Sequence, residues 1–200
     1  HDLRSPTRRS YETATGPRMN ASRATRFRLC LLATGGTIEK TYDAHEGRLM
    51  LGQPVIEDLV DGLTHPDIAI DIQRLMAVDS LDMQADERAA VVARIQAIEQ
   101  AGTADAIVVT HGTDTLATTA RAIAQQIPHP TCPIILTGAM RPYRVADSDA
   151  TQNMAQAIMA ARLVAPGVYG VLHGRVIAAE RIEKDYERLT FVERDDVDRS

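Results

Sequence analysis

The chain has 200 residues, 44% of them hydrophobic, and carries a formal charge of -5 with a pI near 5.7. That length buries one sizeable core without disulfides or metal, and the acidic balance argues against a nucleic-acid binder, which needs a basic patch to neutralise phosphates. No apolar run approaches the length of a membrane span, and no secretory signal core opens the chain, so a small uncharged or zwitterionic ligand in the cytoplasm is expected rather than a membrane.

Residues 1–26, "HDLRSPTRRSYETATGPRMNASRATR", are polar and without periodicity. They read as a tag or disordered extension, with Met19 as the native start and residues 1–18 as vector remnant. The folded domain is expected over 27–192, followed by a tail at 193–200.

From residue 27 the text alternates between two periods. "FRLCLLAT" (27–34) is a short apolar run, and Thr34-Gly35-Gly36-Thr37 follows it directly. "IAIDIQRLMAV" (68–78) is the second strand and leads into Asp79-Ser80-Leu81-Asp82. Between Ala85 and Gly102, apolar residues at Val91, Val92, Ile95 and Ile98 mark a helix with a glycine stop. "DAIVVT" (105–110) is a third strand, running into "THGTDT" (110–115). Thr115 to Gln126 is a helix ending before Pro128, with Asp114 placed to cap it. "CPIILTG" (132–138) is a fourth strand, entering "TGAMRP" (137–142), and Ser148 to Leu163 a third helix.

Strands alternating with helices predict an α/β fold with a mostly parallel sheet and helices on both faces, Rossmann-like with a flavodoxin-like strand order. Ligands then collect outside the carboxyl ends of the strands, where all four unusual clusters sit. Cys30 and Cys132 lie within apolar runs and are expected to be buried, reduced thiols. His45, His65, His129 and His173 show no ligand spacing, so no metal is expected.

Hydroxyls and carboxylates at such an edge point to nucleophilic chemistry. A threonine is a weak nucleophile and needs a proton acceptor and electrostatic support for the oxyanion; neighbouring glycine N–H groups are expected to approach a carbonyl oxygen. Lys184, in "ERIEKDYE", is an amine that burial can bring toward neutrality so that it accepts a proton.

"LLATGGTIEK" (31–40) and "IVVTHGTDTLATTA" (107–120), about 75 residues apart, together resemble the bacterial-type L-asparaginase family. "AVDSLDM" (77–83), "ILTGAMRP" (135–142) and "VIAAERIEK" (176–184) fall in the order that family shows. The resemblance runs from about Leu29 to Phe191 and does not include the smaller C-terminal domain of typical members, which implies a short-type, single-domain asparaginase or else a truncated piece of a longer enzyme.

It implies hydrolysis of L-asparagine to L-aspartate and ammonia, without cofactor, through an acyl-enzyme on Thr37. Tyr42 would assist Thr37 and close over the substrate. Thr113, Asp114 and Lys184 would form a second catalytic cluster that orients groups and moves protons. Ser80 would bind the substrate α-carboxylate and Asp114 its α-amino group, with Gly36 and Thr113 lining the site. Assembly as a homodimer or homotetramer is also implied.

One departure concerns recognition. Many members have glutamine after the serine where this chain has Leu81, so amine recognition should lean on Asp114. Thr34 and His111 are expected to be structural, and Arg141 and Asp149 to pair across the loop after "TGAM" or across a subunit interface. Two rival readings stand beside the main one. The first is a glutaminase or an amidotransferase-associated amidohydrolase. The second is a non-catalytic nucleotide or amino-acid binding module, which the lack of G-x-G-x-x-G and of a Walker lysine disfavours.

Overall fold

The computed structural model describes residues 26–51 and 55–194. The expected extension and most of the expected tail lie outside the described residues.

A six-stranded sheet forms the centre. In chain order its strands are β1 (Phe27–Gly35), β4 (Ile68–Val78), β5 (Ala106–Thr110), β6 (Pro133–Thr137), β7 (Gly167–Leu172) and β8 (Arg175–Ala178). Their spatial order is β4-β1-β5-β6-β7-β8, parallel throughout except for the last pair. The parallel part is thus the flavodoxin-like order expected, with an antiparallel strand added at one edge. Strand order reverses between β1 and β5, which makes the carboxyl ends of those two strands the switch point where open α/β sheets bind ligands.

Burial explains the strand sequences. β1, β5 and β6 are covered on both faces and read as near-continuous apolar runs, whereas β4, at an edge, alternates buried Ile68 with exposed Ala69 and Asp71. Successive side chains feed opposite cores. Cys30 and Leu32 join the core under α2 (Ala85–Ala101) and α3 (Leu116–Gln126), while Leu29, Leu31 and Ala33 join the core under α1 (Val55–Asp61) and α4 (Ala150–Leu163). α2 ends at Gly102, whose φ of 59° is the left-handed cap its position predicts. Both cysteines are buried and unpaired, and burial pushes each thiol up to about 11, so neither is a nucleophile near neutrality.

Three hairpins complete the fold of the described residues. β2 (Thr41–Asp43) pairs with β3 (Arg48–Met50), and β9 (Ile182–Asp185) with β10 (Thr190–Glu193), each as a separate two-stranded sheet. β7 and β8 are joined by His173-Gly174, with φ of 49° and 79°, the pair of positive values a tight two-residue turn requires. Asn153 and Gln156 of α4 accept hydrogen bonds from the N–H groups of His173 and Gly174 at 3.0 and 2.7 Å, holding that turn against the helix.

Candidate active site

Four loops leave the carboxyl edge of the sheet and interlock through glycines. A Cβ on Gly35 would lie 2.5 Å from the Val78 nitrogen, one on Gly36 2.5 Å from Gly112 Cα, and one on Gly112 2.5 Å from Ser80 Cβ. A Cβ on Gly138 would meet the His111 carbonyl oxygen. The loops after β1, β4, β5 and β6 therefore pack closer than side chains at these positions would allow. Hydrogen bonds reinforce the contact: Thr34 Oγ1 donates to Thr110 O at 2.6 Å, Thr115 Oγ1 to Ser80 O at 2.8 Å, and the His111 N–H to Thr137 O at 2.8 Å. The structural role expected of Thr34 is this bond.

The glycine pair does not act as expected. The Gly35 N–H donates to Glu39 Oε1 at 3.2 Å and the Gly36 N–H to Val78 O at 3.1 Å, so neither is offered to a ligand. Their function is close approach. Gly36, at φ 88°, delivers the chain into a 3₁₀ turn, Thr37–Glu39, whose first residue is the expected nucleophile. Glu39 is buried and its carboxylate also accepts from Arg74 Nη1 at 3.1 Å. Burial raises its pKa, against the opposing pull of Arg74. The next residue, Lys40, pairs with Asp79, and that contact holds the Asp79 carboxyl below its ordinary value despite partial burial. Two consecutive side chains thus moor the Thr37 turn to β4 and to the residue before Ser80.

Beside this turn lies a hydroxyl, an ammonium and a carboxylate in contact. Lys184 Nζ donates to Thr113 Oγ1 at 2.9 Å and to Asp114 Oδ1 at 2.7 Å, and sits 4.9 Å from the centroid of the Tyr186 ring. The lysine side chain is only 10% exposed. Asp114 therefore points to Lys184 and does not cap α3; the capping position is Thr115. His111, buried in the same loop, donates from Nδ1 to Gly112 O at 2.8 Å and accepts at Nε2 from Thr119 Oγ1 at 2.8 Å. Burial lowers its pKa to about 4, so the ring is neutral near pH 7.

The remaining expected residues divide. Ser80 is 1% exposed, and its Oγ has no hydrogen-bond partner among the described residues, an arrangement that costs free energy for a buried hydroxyl. Tyr42, on the separate β2–β3 hairpin, is 67% exposed and Leu81 68%. Arg141 and Asp149 do not pair through their side chains: Arg141 pairs with Asp147, and the Asp149 carboxylate accepts the backbone N–H groups of Met140 and Arg141, each at 3.0 Å. Sequence reasoning missed Glu39, Arg74, Lys40, Asp79 and Tyr186. A charged pair close behind the expected nucleophile, Glu39-Lys40, was the available signal. No group of three His, Cys, Asp or Glu side chains able to hold a metal ion occurs among the described residues, and there no helix is long and apolar enough to cross a membrane.

Residues 28–188 match the family model described as Asparaginase, N-terminal. The chain belongs to the asparaginase family. An L-asparaginase from Thermococcus kodakarensis is 32% identical over 159 residues, which are 79% of this chain and 48% of that protein. A glutamyl-tRNA(Gln) amidotransferase subunit from Aeropyrum pernix is 32% identical over 156 residues, 74% of this chain and 35% of that protein. The solved structure of the thermostable L-asparaginase from Thermococcus kodakarensis superposes with a TM-score of 0.76 at 29% identity, covering 84% of this chain and 51% of that one. This asparaginase-family chain thus spans about half the length of the L-asparaginase it matches and about a third of the amidotransferase polypeptide.

Proposed function

We propose that the protein hydrolyses the side-chain amide of L-asparagine to L-aspartate and ammonia. The observation that carries the reading is the Thr113–Lys184–Asp114 contact at the switch point, packed through Gly112 and Gly36 against the turn that begins at Thr37.

In this reading Thr37 Oγ1 attacks the amide carbon, its proton passes through a neighbouring base to the departing nitrogen, and the C–N bond breaks to release ammonia and leave an ester on Thr37. Water then attacks that ester and restores the hydroxyl. The Thr37 N–H heads a 3₁₀ turn, where the first N–H groups lack a partner within the turn, and serves the developing oxyanion in place of the two occupied glycine N–H groups. Thr113, Lys184 and Asp114 relay protons and orient the water. The unpaired Ser80 hydroxyl takes the α-carboxylate. Asp114 offers its second oxygen to the α-ammonium, the more so because Leu81 has no acceptor to contribute. Tyr42 closes over the bound amide from its hairpin. The two buried reduced thiols fit a cytoplasmic enzyme, and a homodimer or homotetramer is the expected assembly.

A second reading, amide hydrolysis on glutamine or for a transfer partner, draws on the relatives named as glutamyl-tRNA(Gln) amidotransferase subunits. Steady-state ammonia release from asparagine and glutamine, measured side by side, separates the two. Absence of release from both would overturn hydrolysis of free amino-acid amides.

A further inference from the structure

Lys184 rides on a hairpin outside the main sheet. The hairpin is anchored along its length: Ile182 at the root and Phe191 near the tip are buried in the core under α3, Arg121 Nη1 donates to Ile182 O at 2.9 Å, and the Arg194 N–H donates to Arg181 O at 2.8 Å. Phe191 pairs with Lys184 across the ladder and Thr190 with Asp185. Beyond Asp185 the chain turns through residues 186–189 and re-enters β10 after Leu189, a non-glycine residue with φ of 49°. At this tip Thr190 Oγ1 lies 2.9 Å from His173 Nδ1, a side-chain contact that ties the hairpin to the β7–β8 turn.

His173 is itself held on every side. Its Nε2 lies 2.8 Å from Asp149 Oδ2, its N–H donates to Asn153 Oδ1, and its backbone sits at φ 49° in the β7–β8 turn. Asp149 is fixed in turn by the Met140 and Arg141 N–H groups and by Asn153 Nδ2 at 2.8 Å. A carboxylate only accepts, so Nε2 carries the proton and, in the neutral ring, Nδ1 accepts from the Thr190 hydroxyl. Two non-glycine residues in the left-handed region, His173 and Leu189, flank this network, which over-determines their strained backbone.

We propose that His173 is a positioning residue for Lys184: the Asp149–His173–Thr190 chain clamps the tip of the β9–β10 hairpin and so holds the lysine ammonium on Thr113 and Asp114. That Lys184 then works in turnover rests on the proposed function. The clamp links the loop after β6 to the β9–β10 hairpin, two elements that share no backbone ladder.

The chain's two lysines, Lys40 and Lys184, make a direct test. Lys40 is paired with Asp79, on other elements than the hairpin, and serves as internal reference. Competitive acetylation with limiting acetic anhydride, read by peptide mass spectrometry, gives the Lys184-to-Lys40 labelling ratio. Two substitutions on different elements each remove the clamp with little disturbance. Thr190→Val keeps the side-chain shape, and His173→Asn keeps a residue tolerant of the left-handed turn but too short to reach Thr190. Each is expected to raise the ratio about fivefold, the two together no more than either alone, and to lower kcat with KM held. An unchanged ratio in both variants overturns the clamp, and a raised ratio with unchanged kcat overturns its role in the reaction. If the parent chain releases no ammonia while the ratio still rises, the clamp stands and the proposed function fails.

Discussion

Gly36 and Gly112 meet so closely that a methyl group on the first would lie 2.5 Å from the α-carbon of the second. The contact joins the turn carrying Thr37 to the loop carrying Thr113. Gly36→Ala meets both this clash and a positive φ, so it should lose at least about 2 kcal/mol of stability and about a hundredfold in activity. Thermal melting and ammonia release on the purified variant check both; wild-type turnover would contradict the interlock.

Thr37→Ala removes the proposed nucleophile from a half-buried position held by its neighbours Gly36, Glu39 and Lys40. Turnover should fall below about a hundredth of wild type while the melting temperature stays within a few degrees. Mass spectrometry of the wild type quenched during turnover should show the acyl adduct on the peptide containing residue 37.

Ser80→Ala deletes a buried hydroxyl that bonds to nothing among the described residues, so stability should hold or rise slightly. The loss should appear as a KM raised about tenfold with kcat little changed, because the group binds ground state and transition state alike. An unchanged KM would remove Ser80 from carboxylate recognition.

His111 supplies a pH dependence with a defined sign. Its pKa falls from 6.5 to about 4 on folding, chiefly through burial, so between those values the unfolded chain binds the extra proton. Its contribution is therefore fully present above about pH 6.5 and is lost as pH drops toward 4, amounting to about 3 kcal/mol. Urea unfolding at pH 7 and pH 4.5 should show that loss, and His111→Asn should flatten the slope.

Much of the fold was legible because strands buried on both faces leave unbroken apolar runs, as in "AIVVT", and because Gly102 stops α2 where the periodicity ends. The pieces that stayed hidden are short or glycine-rich. α1 has seven residues, and β7 contains Gly167 and Gly170, the latter pressed against Ile182, so neither carries a clear period. The expected site residues came from contiguous motifs. What periodicity and motif could not reveal were partners far apart in sequence: Lys40 with Asp79, Arg74 with Glu39, His173 with Thr190. Opposite charge alone likewise suggests a side-chain pair between Arg141 and Asp149, whereas the carboxylate receives backbone N–H groups that no charge pattern displays.

The β2–β3 hairpin, with Tyr42 and a turn at Gly47, forms a sheet of its own, while the residues just before it are pinned to β4 and Asp79. Grafting foreign sequences into positions 41–50 should therefore diversify what reaches the proposed nucleophile without unseating the turn that carries it. The chain has a natural insertion point for retargeting.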